Sequence, residues 1–201
     1  PPEIGLCRHL ETMSLICNSL SAIPAEVGML KELGYLYLNG NFIRTIPAEV
    51  CALPKLQEIC LDANCIEEAP CFSSTRLRLY TAPGNKFPDI PLAPHFDRLE
   101  VHGNQIRNII PMNWVPVSNL VTLKVMGNQL TELPNEVALM PFLRILGVAN
   151  NRLRMLPEKL SQLQELEWLM AYENCIAELP KNLGPGCRTL TRLLLESNPL
   201  T

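Results

Sequence analysis

Cysteine and histidine are the residues of this chain best suited to nucleophilic or metal chemistry, and their spacing favours neither. The 201-residue sequence contains eight cysteines and three histidines. No two cysteines form a CxxC pair, and no cysteine stands at zinc-like spacing from a histidine, so no metal is expected. A Cys–His nucleophilic pair would have to combine Cys60 with His102, and the sequence has neither a GxxxxGK[ST] phosphate loop nor a glycine-rich kinase loop. We therefore expect no intrinsic catalysis, no cofactor and no small-molecule substrate.

The composition excludes further classes of partner. Hydrophobic residues make up 47% of the chain, enough for a continuous core, and the net charge is -3. That charge gives no basic surface for nucleic acid, and no apolar run reaches the roughly 18 to 20 residues that membrane insertion requires. The chain has no Asn-x-Ser/Thr sequon and no charged-then-apolar leader, which favours reduced thiols and a cytoplasmic location.

An internal repeat organises the whole sequence. Nine asparagines recur at intervals of 19 to 24 residues, and apolar residues stand eight, five and three positions before each one and two positions after it, which gives LxxLxLxxNxL nine times. The alternating LxL segment predicts a short strand, and the later spacing of three predicts a helical or 3-10 return segment. The asparagines are Asn18, Asn41, Asn64, Asn85, Asn104, Asn128, Asn151, Asn174 and Asn198.

This pattern resembles the leucine-rich-repeat family over essentially the whole chain. The resemblance implies an α/β fold: a right-handed solenoid, or horseshoe, with a curved parallel β-sheet on the concave face and short helical or 3-10 segments on the convex face. The 23-residue period looks like the cytosolic class found in Ras-suppressor, plant intracellular Ras-group and Scribble-like scaffolds. Because the pattern opens in a return segment and closes just after the last Asn-x-Leu, we expect residues 1–201 to be a single domain of about nine repeats, cut within repeats at both ends.

The central stretch, residues 70–117, departs from this class. It contains the two shortest repeats and an excess of proline, including Pro94, Pro111 and Pro116, and the segment 87–91 resembles the shorter repeats of bacterial effector ubiquitin ligases. Two interpretations stay open. The repeats have drifted and carry extended convex segments, or they form a kink that shapes a binding site.

The asparagine column has a physical role of its own. An amide side chain buried at the bend of each turn can donate to and accept from main-chain groups of adjacent turns. We therefore expect a ladder of satisfied amides along the solenoid, formed by the nine asparagines.

The strand positions between the core residues must face the concave surface, because side chains alternate along a strand. We expect a partner-binding surface there with three parts: an aromatic C-terminal part, a pair of tyrosines, and a polar middle, suited to a basic segment of a ligand, that also includes Glu58 and Asp62. The alternative interpretation is cross-strand packing for the aromatic residues and simple solvation for the polar ones. The candidate residues are Ile145, Trp168, Met170, Tyr172, Arg192 and Leu194, then Tyr35 and Tyr37, then Glu100 and His102.

The resemblance implies a protein–protein interaction module or scaffold that binds an unidentified protein partner on its concave face. The alternative function is substrate recognition for a larger enzyme, such as an effector ubiquitin ligase, a kinase or a Roco-type GTPase, whose catalytic domain lies outside these residues. An extracellular recognition receptor is disfavoured because sequons and cysteine-rich caps are missing from the sequence.

Overall fold

The fold is built on one open sheet of nine parallel strands that follow each other in chain order. The computed structural model describes residues 1–91, 95–109 and 119–201, so Pro94, Pro111 and Pro116 of the central stretch lie outside the described residues. The strands are β1 Thr12–Ser14, β2 Tyr35–Tyr37, β3 Glu58–Cys60, β4 Leu79–Thr81, β5 Arg98–Glu100, β6 Thr122–Lys124, β7 Ile145–Gly147, β8 Trp168–Met170 and β9 Arg192–Leu194.

The strands stack in an unbroken register. Thr12 pairs with Tyr35 and Tyr35 with Glu58, and the same correspondence continues to the last pair of strands. Main-chain hydrogen bonds extend the pairing past each three-residue strand, as where the Leu15 N–H donates to the Tyr37 carbonyl at 2.8 Å. The predicted parallel solenoid sheet is therefore confirmed.

In the described part of the chain, short helices occupy the return segments of six turns. The 3-10 helices are Pro2–Leu6, Ala25–Met29, Asn135–Leu139 and Glu158–Gln162, and the α-helical turns are Ala48–Cys51 and Leu183–Gly186. Five of the six begin directly after a proline, whose fixed φ suits the first helical turn and whose missing N–H would have no helical partner there.

The return segment between β3 and β4 has no helix, although residues 61–78 are all described, so the expectation of a helical return is wrong for this turn. This repeat is two residues shorter than the usual 23, and an extended chain covers more distance per residue than a helix. The Ser73 N–H donates to the Cys51 carbonyl at 3.1 Å, and Phe72 is buried against Tyr80 with ring centroids 5.8 Å apart.

The core runs the length of the solenoid and each turn covers the next. Leu146 and Leu169, at the centres of β7 and β8, are fully buried between strands on both sides. Leu193, at the equivalent position of β9, is 39% exposed because it has a neighbouring strand on one side only. Burial of the repeat leucines is thus supplied by adjacent turns and not by the turn that carries them.

The asparagine side chains form the ladder that joins these turns. Asn151 accepts a hydrogen bond from the Leu130 N–H at 3.0 Å, and its Nδ2 donates to the Val125 carbonyl of the preceding turn at 3.1 Å and to the Val148 carbonyl of its own turn at 3.0 Å. The same pattern of acceptor and donors recurs at Asn128 and Asn174. Each such amide satisfies main-chain groups of two turns.

Two asparagines depart from this pattern. Asn18 is exposed and donates only to carbonyls of its own turn, those of Leu15 and Ile16. Asn104 keeps its donor bonds, but its buried Oδ1 has no hydrogen-bond partner among the described residues. The ladder is therefore incomplete at the shortest repeat, which separates Asn104 from Asn85 by 19 residues.

Asn151→Ala should lower the free energy of unfolding by about 1 to 3 kcal/mol, because it leaves buried main-chain groups of two turns without partners. Asn18→Ala removes the same side chain at an exposed position and serves as the control, with a clearly smaller expected loss. Urea unfolding followed by circular dichroism measures both. Equal losses in the two variants would contradict the inter-turn role of the ladder.

Tyr80 is the largest polar departure from the apolar core pattern. It stands at a leucine position of the repeat, is fully buried, and packs against Phe72 and Phe96 with ring centroids 5.8 and 5.6 Å away. Its hydroxyl has no hydrogen-bond partner among the described residues, and burial raises the pKa of the phenol well above its ordinary value. The ring contributes packing while the hydroxyl has lost its hydration without compensation.

Tyr80→Phe should therefore raise the free energy of unfolding, by about 1 kcal/mol, since it keeps the ring and removes the uncompensated hydroxyl. Tyr37→Phe is the matched control, because the Tyr37 hydroxyl is hydrogen-bonded and half-exposed at the surface, and it should not stabilise the protein. Thermal and urea unfolding of both variants tests this, and a destabilised Tyr80→Phe protein would show that the hydroxyl is in fact satisfied.

Candidate functional site

The candidate surface consists of the outward-facing side chains of the sheet. Each central strand residue from β1 to β8 is buried, and the residues on either side of it are exposed or half-buried in most strands. Because all the strands are parallel and in register, equivalent side chains form straight columns across the concave face. The backbone therefore fixes the spacing between column positions, and the sequence determines which side chain stands at each of them.

The structure brings the aromatic candidates together across β7, β8 and β9. We call Ile145, Trp168, Met170, Tyr172, Arg192 and Leu194 the C-terminal patch. Ile145 pairs with Trp168 and Trp168 with Arg192, and Met170 pairs with Leu194. The Arg192 guanidinium carbon lies 4.2 Å from the centroid of the Trp168 ring, a cation–π contact. Arg192 is exposed and the other five side chains are half-buried.

Part of this patch is shaped by a glycine that the sequence analysis did not use. Gly147 lies beside Met170 in one column, and a Cβ built on it would come within 3.1 Å of Met126 Sδ and 3.3 Å of Met170 Cε. The two methionines therefore close over the glycine, which is buried as a result. The part of the sheet beside Trp168 is therefore covered by methionine side chains, which are polarizable and adaptable.

The polar tips of the patch are not used within the chain. Among the described residues, neither the Trp168 indole N–H nor the Tyr172 hydroxyl has a hydrogen-bond partner, and both rings are half-exposed. Arg144, which sequence reasoning placed beside them, instead forms an ion pair with Glu167. The cross-strand packing interpretation is thus true of Trp168 with Arg192, and it leaves the ring edges and polar tips facing solvent.

The tyrosine pair lies at the opposite end of the sheet. Tyr35 and Tyr37 are both half-buried on β2, and the Tyr37 hydroxyl donates to Glu58 Oε2 of β3 at 3.0 Å. Burial and this hydrogen bond to an anion raise the pKa of Tyr37, so the phenol stays protonated. Asn39, two residues after Tyr37 along the chain, donates from Nδ2 to Asp62 Oδ2 at 3.0 Å.

The middle of the face is an ion-pair network of the chain itself. Glu100 is buried, and its Oε1 lies 2.6 Å from Arg98 Nη2 and 2.9 Å from Lys124 Nζ. Burial alone raises the pKa of Glu100, but hydrogen bonds from Lys124 and Arg98 outweigh it and hold the pKa below its usual range. Glu100 is therefore neutralised before any basic ligand arrives. The alignment of Glu100 with Lys124 in one column was the sequence signal for this pair.

The residues considered for nucleophilic chemistry do not form a reactive pair. Cys60 and His102 belong to turns separated by β4, and His102 Nδ1 is buried without a hydrogen-bond partner among the described residues. Burial raises the pKa of the Cys60 thiol, which disfavours the thiolate needed for attack. Over the described ranges, no group of three or more His, Cys, Asp or Glu side chains is arranged to hold a metal ion.

None of the helices found in the described part of the chain has the length and apolar character needed to cross a membrane.

Comparisons with known proteins agree with the geometry. The family model described as "Leucine rich repeat" matches residues 8–66. No curated protein sequence matches the chain. The nine-stranded parallel sheet and the solved structures of similar fold show the horseshoe fold of leucine-rich-repeat proteins.

Solved structures share the fold over the whole chain. A leucine-rich-repeat protein of Leptospira interrogans is 28% identical with a TM-score of 0.73, and the match covers 100% of this chain and 58% of that one. The internalin InlF of Listeria monocytogenes is 24% identical, with a TM-score of 0.88 and coverage of 100% and 58%. The plant peptide hormone receptor RGFR1, solved in complex with RGF2, is 29% identical, with a TM-score of 0.81 and coverage of 100% and 34%. The chain thus spans less than two thirds of each of these relatives.

Glu100→Gln should lower the free energy of unfolding at pH 7 by about 1 to 3 kcal/mol, because it removes the anion that two cations surround. The folded-state pKa of Glu100 is depressed, so its contribution is present above the ordinary glutamate pKa and is lost as the pH falls through the folded-state value. The difference in free energy of unfolding between wild type and Glu100→Gln should therefore become smaller in acid.

Urea unfolding at pH 7 and at about pH 3 measures this gap. The control is Glu178→Gln, which makes the same charge change at an exposed residue with no ion pair among the described residues. A gap that stays constant with pH would exclude an electrostatic origin.

Proposed function

We propose that the chain is a protein–protein interaction module that binds a protein partner on the concave face through the C-terminal patch. The observation that carries this is the half-exposed Trp168 and Tyr172 pair, whose rings are held by the sheet and whose polar tips have no partner among the described residues. Tryptophan, tyrosine and arginine are the residues most enriched among interface hot spots. Rigid rings on a fixed backbone also lose little conformational entropy on binding.

The neighbouring residues suit the same role. Ile145, Met170 and Leu194 surround Trp168 with half-buried apolar surface, and Arg192 is exposed above the ring. An apolar centre with polar groups at its margin is the usual anatomy of a protein interface. The peptide complex of the receptor RGFR1 shows that one protein of similar fold and 29% identity binds a peptide.

A cytoplasmic location belongs to this proposal. It is supported by the resemblance to the cytosolic 23-residue class and by Cys51 and Cys187, which are buried as small core residues. Burial raises the pKa of the Cys51 thiol to about 11, as suits a structural cysteine. Substrate recognition for a larger enzyme stays the alternative function, and it would use the same face.

The double variant Trp168→Ala, Tyr172→Ala should lose at least one specific partner that wild type retains, because truncation of a hot-spot aromatic costs about 2 kcal/mol or more, roughly 30-fold in affinity. Affinity capture from lysates with quantitative mass spectrometry measures the loss, and circular dichroism confirms folding. Phe142→Ala is the matched control, since it removes a 55% exposed aromatic ring outside the sheet. A capture profile identical in all three proteins would contradict the role of the C-terminal patch.

A further inference from the structure

A second part of the concave face combines negative charge with aromatic rings. Glu58, Cys60 and Asp62 alternate along β3 and the residues that follow it, so their side chains point to the same surface. Tyr35 pairs with Glu58 and Tyr37 with Cys60 on the adjacent strand, about 4.8 Å away. We call Tyr35, Tyr37, Asn39, Glu58 and Asp62 the acidic site.

The two carboxylates of the acidic site lack the cations that the chain supplies elsewhere. Glu100, on the same face, is paired with Arg98 and Lys124. Glu58 and Asp62 belong to no ion pair among the described residues, and their hydrogen bonds come from neutral groups: the Tyr37 hydroxyl, the Asn39 amide and the Thr81 hydroxyl at 2.6 Å. The third strand and the residues after it therefore carry two carboxylates without an ion-pair partner among the described residues.

The surroundings make this charge costly. Both carboxylates are half-buried. Burial raises the pKa of Asp62, and the Thr81 hydrogen bond and the attraction of His102 oppose that rise only in part. A carboxylate that has lost part of its hydration without gaining a cation is stabilised by any positive group that reaches it.

The Asp62 carboxylate has acceptor capacity left. It accepts one hydrogen bond from Asn39 Nδ2 and one from the Thr81 hydroxyl. An ionised carboxylate offers about four acceptor positions, so a lysine ammonium or an arginine guanidinium can donate to Asp62 while both of these bonds remain. The half-exposed rings of Tyr35 and Tyr37 add faces against which a cation packs favourably.

From this charge complementarity we infer that the acidic site receives a lysine or arginine side chain of the protein partner. The inference rests on the proposed function, because it assigns chemistry to the partner of the same concave face. The basic side chain enters between the tyrosine rings and the carboxylates and donates to Asp62. The partner segment is thus basic where it crosses β2 and β3.

The test uses a displayed library of random 12-residue peptides as the probe, selected on the full 201-residue chain, followed by fluorescence anisotropy with the synthesised peptides. We expect enriched peptides to share a lysine or arginine whose replacement by glutamine weakens binding at least tenfold. The double variant Glu58→Gln, Asp62→Asn keeps side-chain shape and should weaken the binding of the same peptides to a similar degree. When this variant is paired with a glutamine-substituted peptide, affinity should not fall further.

Glu178→Gln is the control for charge alone and should bind as wild type does. Selection that yields no peptides, peptides without a required basic residue, or equal affinity for wild type and the double variant would each overturn the inference. Peptides that depend on Trp168 and Tyr172 but not on Glu58 and Asp62 would leave the proposed function standing and exclude this site. Peptides that depend on Glu58 and Asp62 but not on Trp168 and Tyr172 would support the acidic site and exclude the C-terminal patch.

Discussion

The structure depends on one constraint: no turn can bury its own apolar side. Each turn contributes a strand of three residues and a short return, and its leucines are covered only by the turns before and after it, as the contrast between Leu169 and Leu193 shows. Stacking must therefore be exact in register, because a slip of one residue would turn the core side chains outward. The asparagine ladder fixes that register, since a side chain such as Asn151 bonds to main-chain groups of two turns at once.

The same constraint explains a feature that sequence reasoning missed. The residue directly before every ladder asparagine has a positive φ, at Gly40, Gly84, Gly103 and Gly127 and also at five non-glycine residues, Cys17, Ala63, Asn150, Glu173 and Ser197. Glycine at four of the nine positions was the available signal. Ala63 and Glu173 carry no such signal, and they adopt this conformation because the stacked turns on either side require the bend there. Tertiary register overrides local preference at these residues.

Alternation and period were enough to predict the fold and to decide which residues face the concave surface, because both follow from backbone geometry alone. The missing helix before β4 was not predictable from the same pattern, since it depends on whether two fewer residues still span the return. The contacts that each concave side chain makes could not be predicted from the repeat pattern either. Trp168 and Arg192 lie in one column and stack, and Glu100 and Lys124 lie in one column and neutralise each other. Rotamers and burial determine which of several neighbours a long side chain contacts.

The rigid spacing of the columns sets what kind of partner the face suits. Glu58 on β3, in the acidic site, and Trp168 on β8, in the C-terminal patch, are five strand spacings apart, about 24 Å along the sheet. No single side chain reaches across that distance, so a ligand that uses both must be a chain of at least about seven extended residues or a folded surface. Between them lies the Arg98–Glu100–Lys124 network, whose charges are largely balanced within the chain. In the interaction proposed above, recognition uses two chemically different parts of the face, one apolar and one acidic, and their fixed separation discriminates against partners that satisfy only one of them.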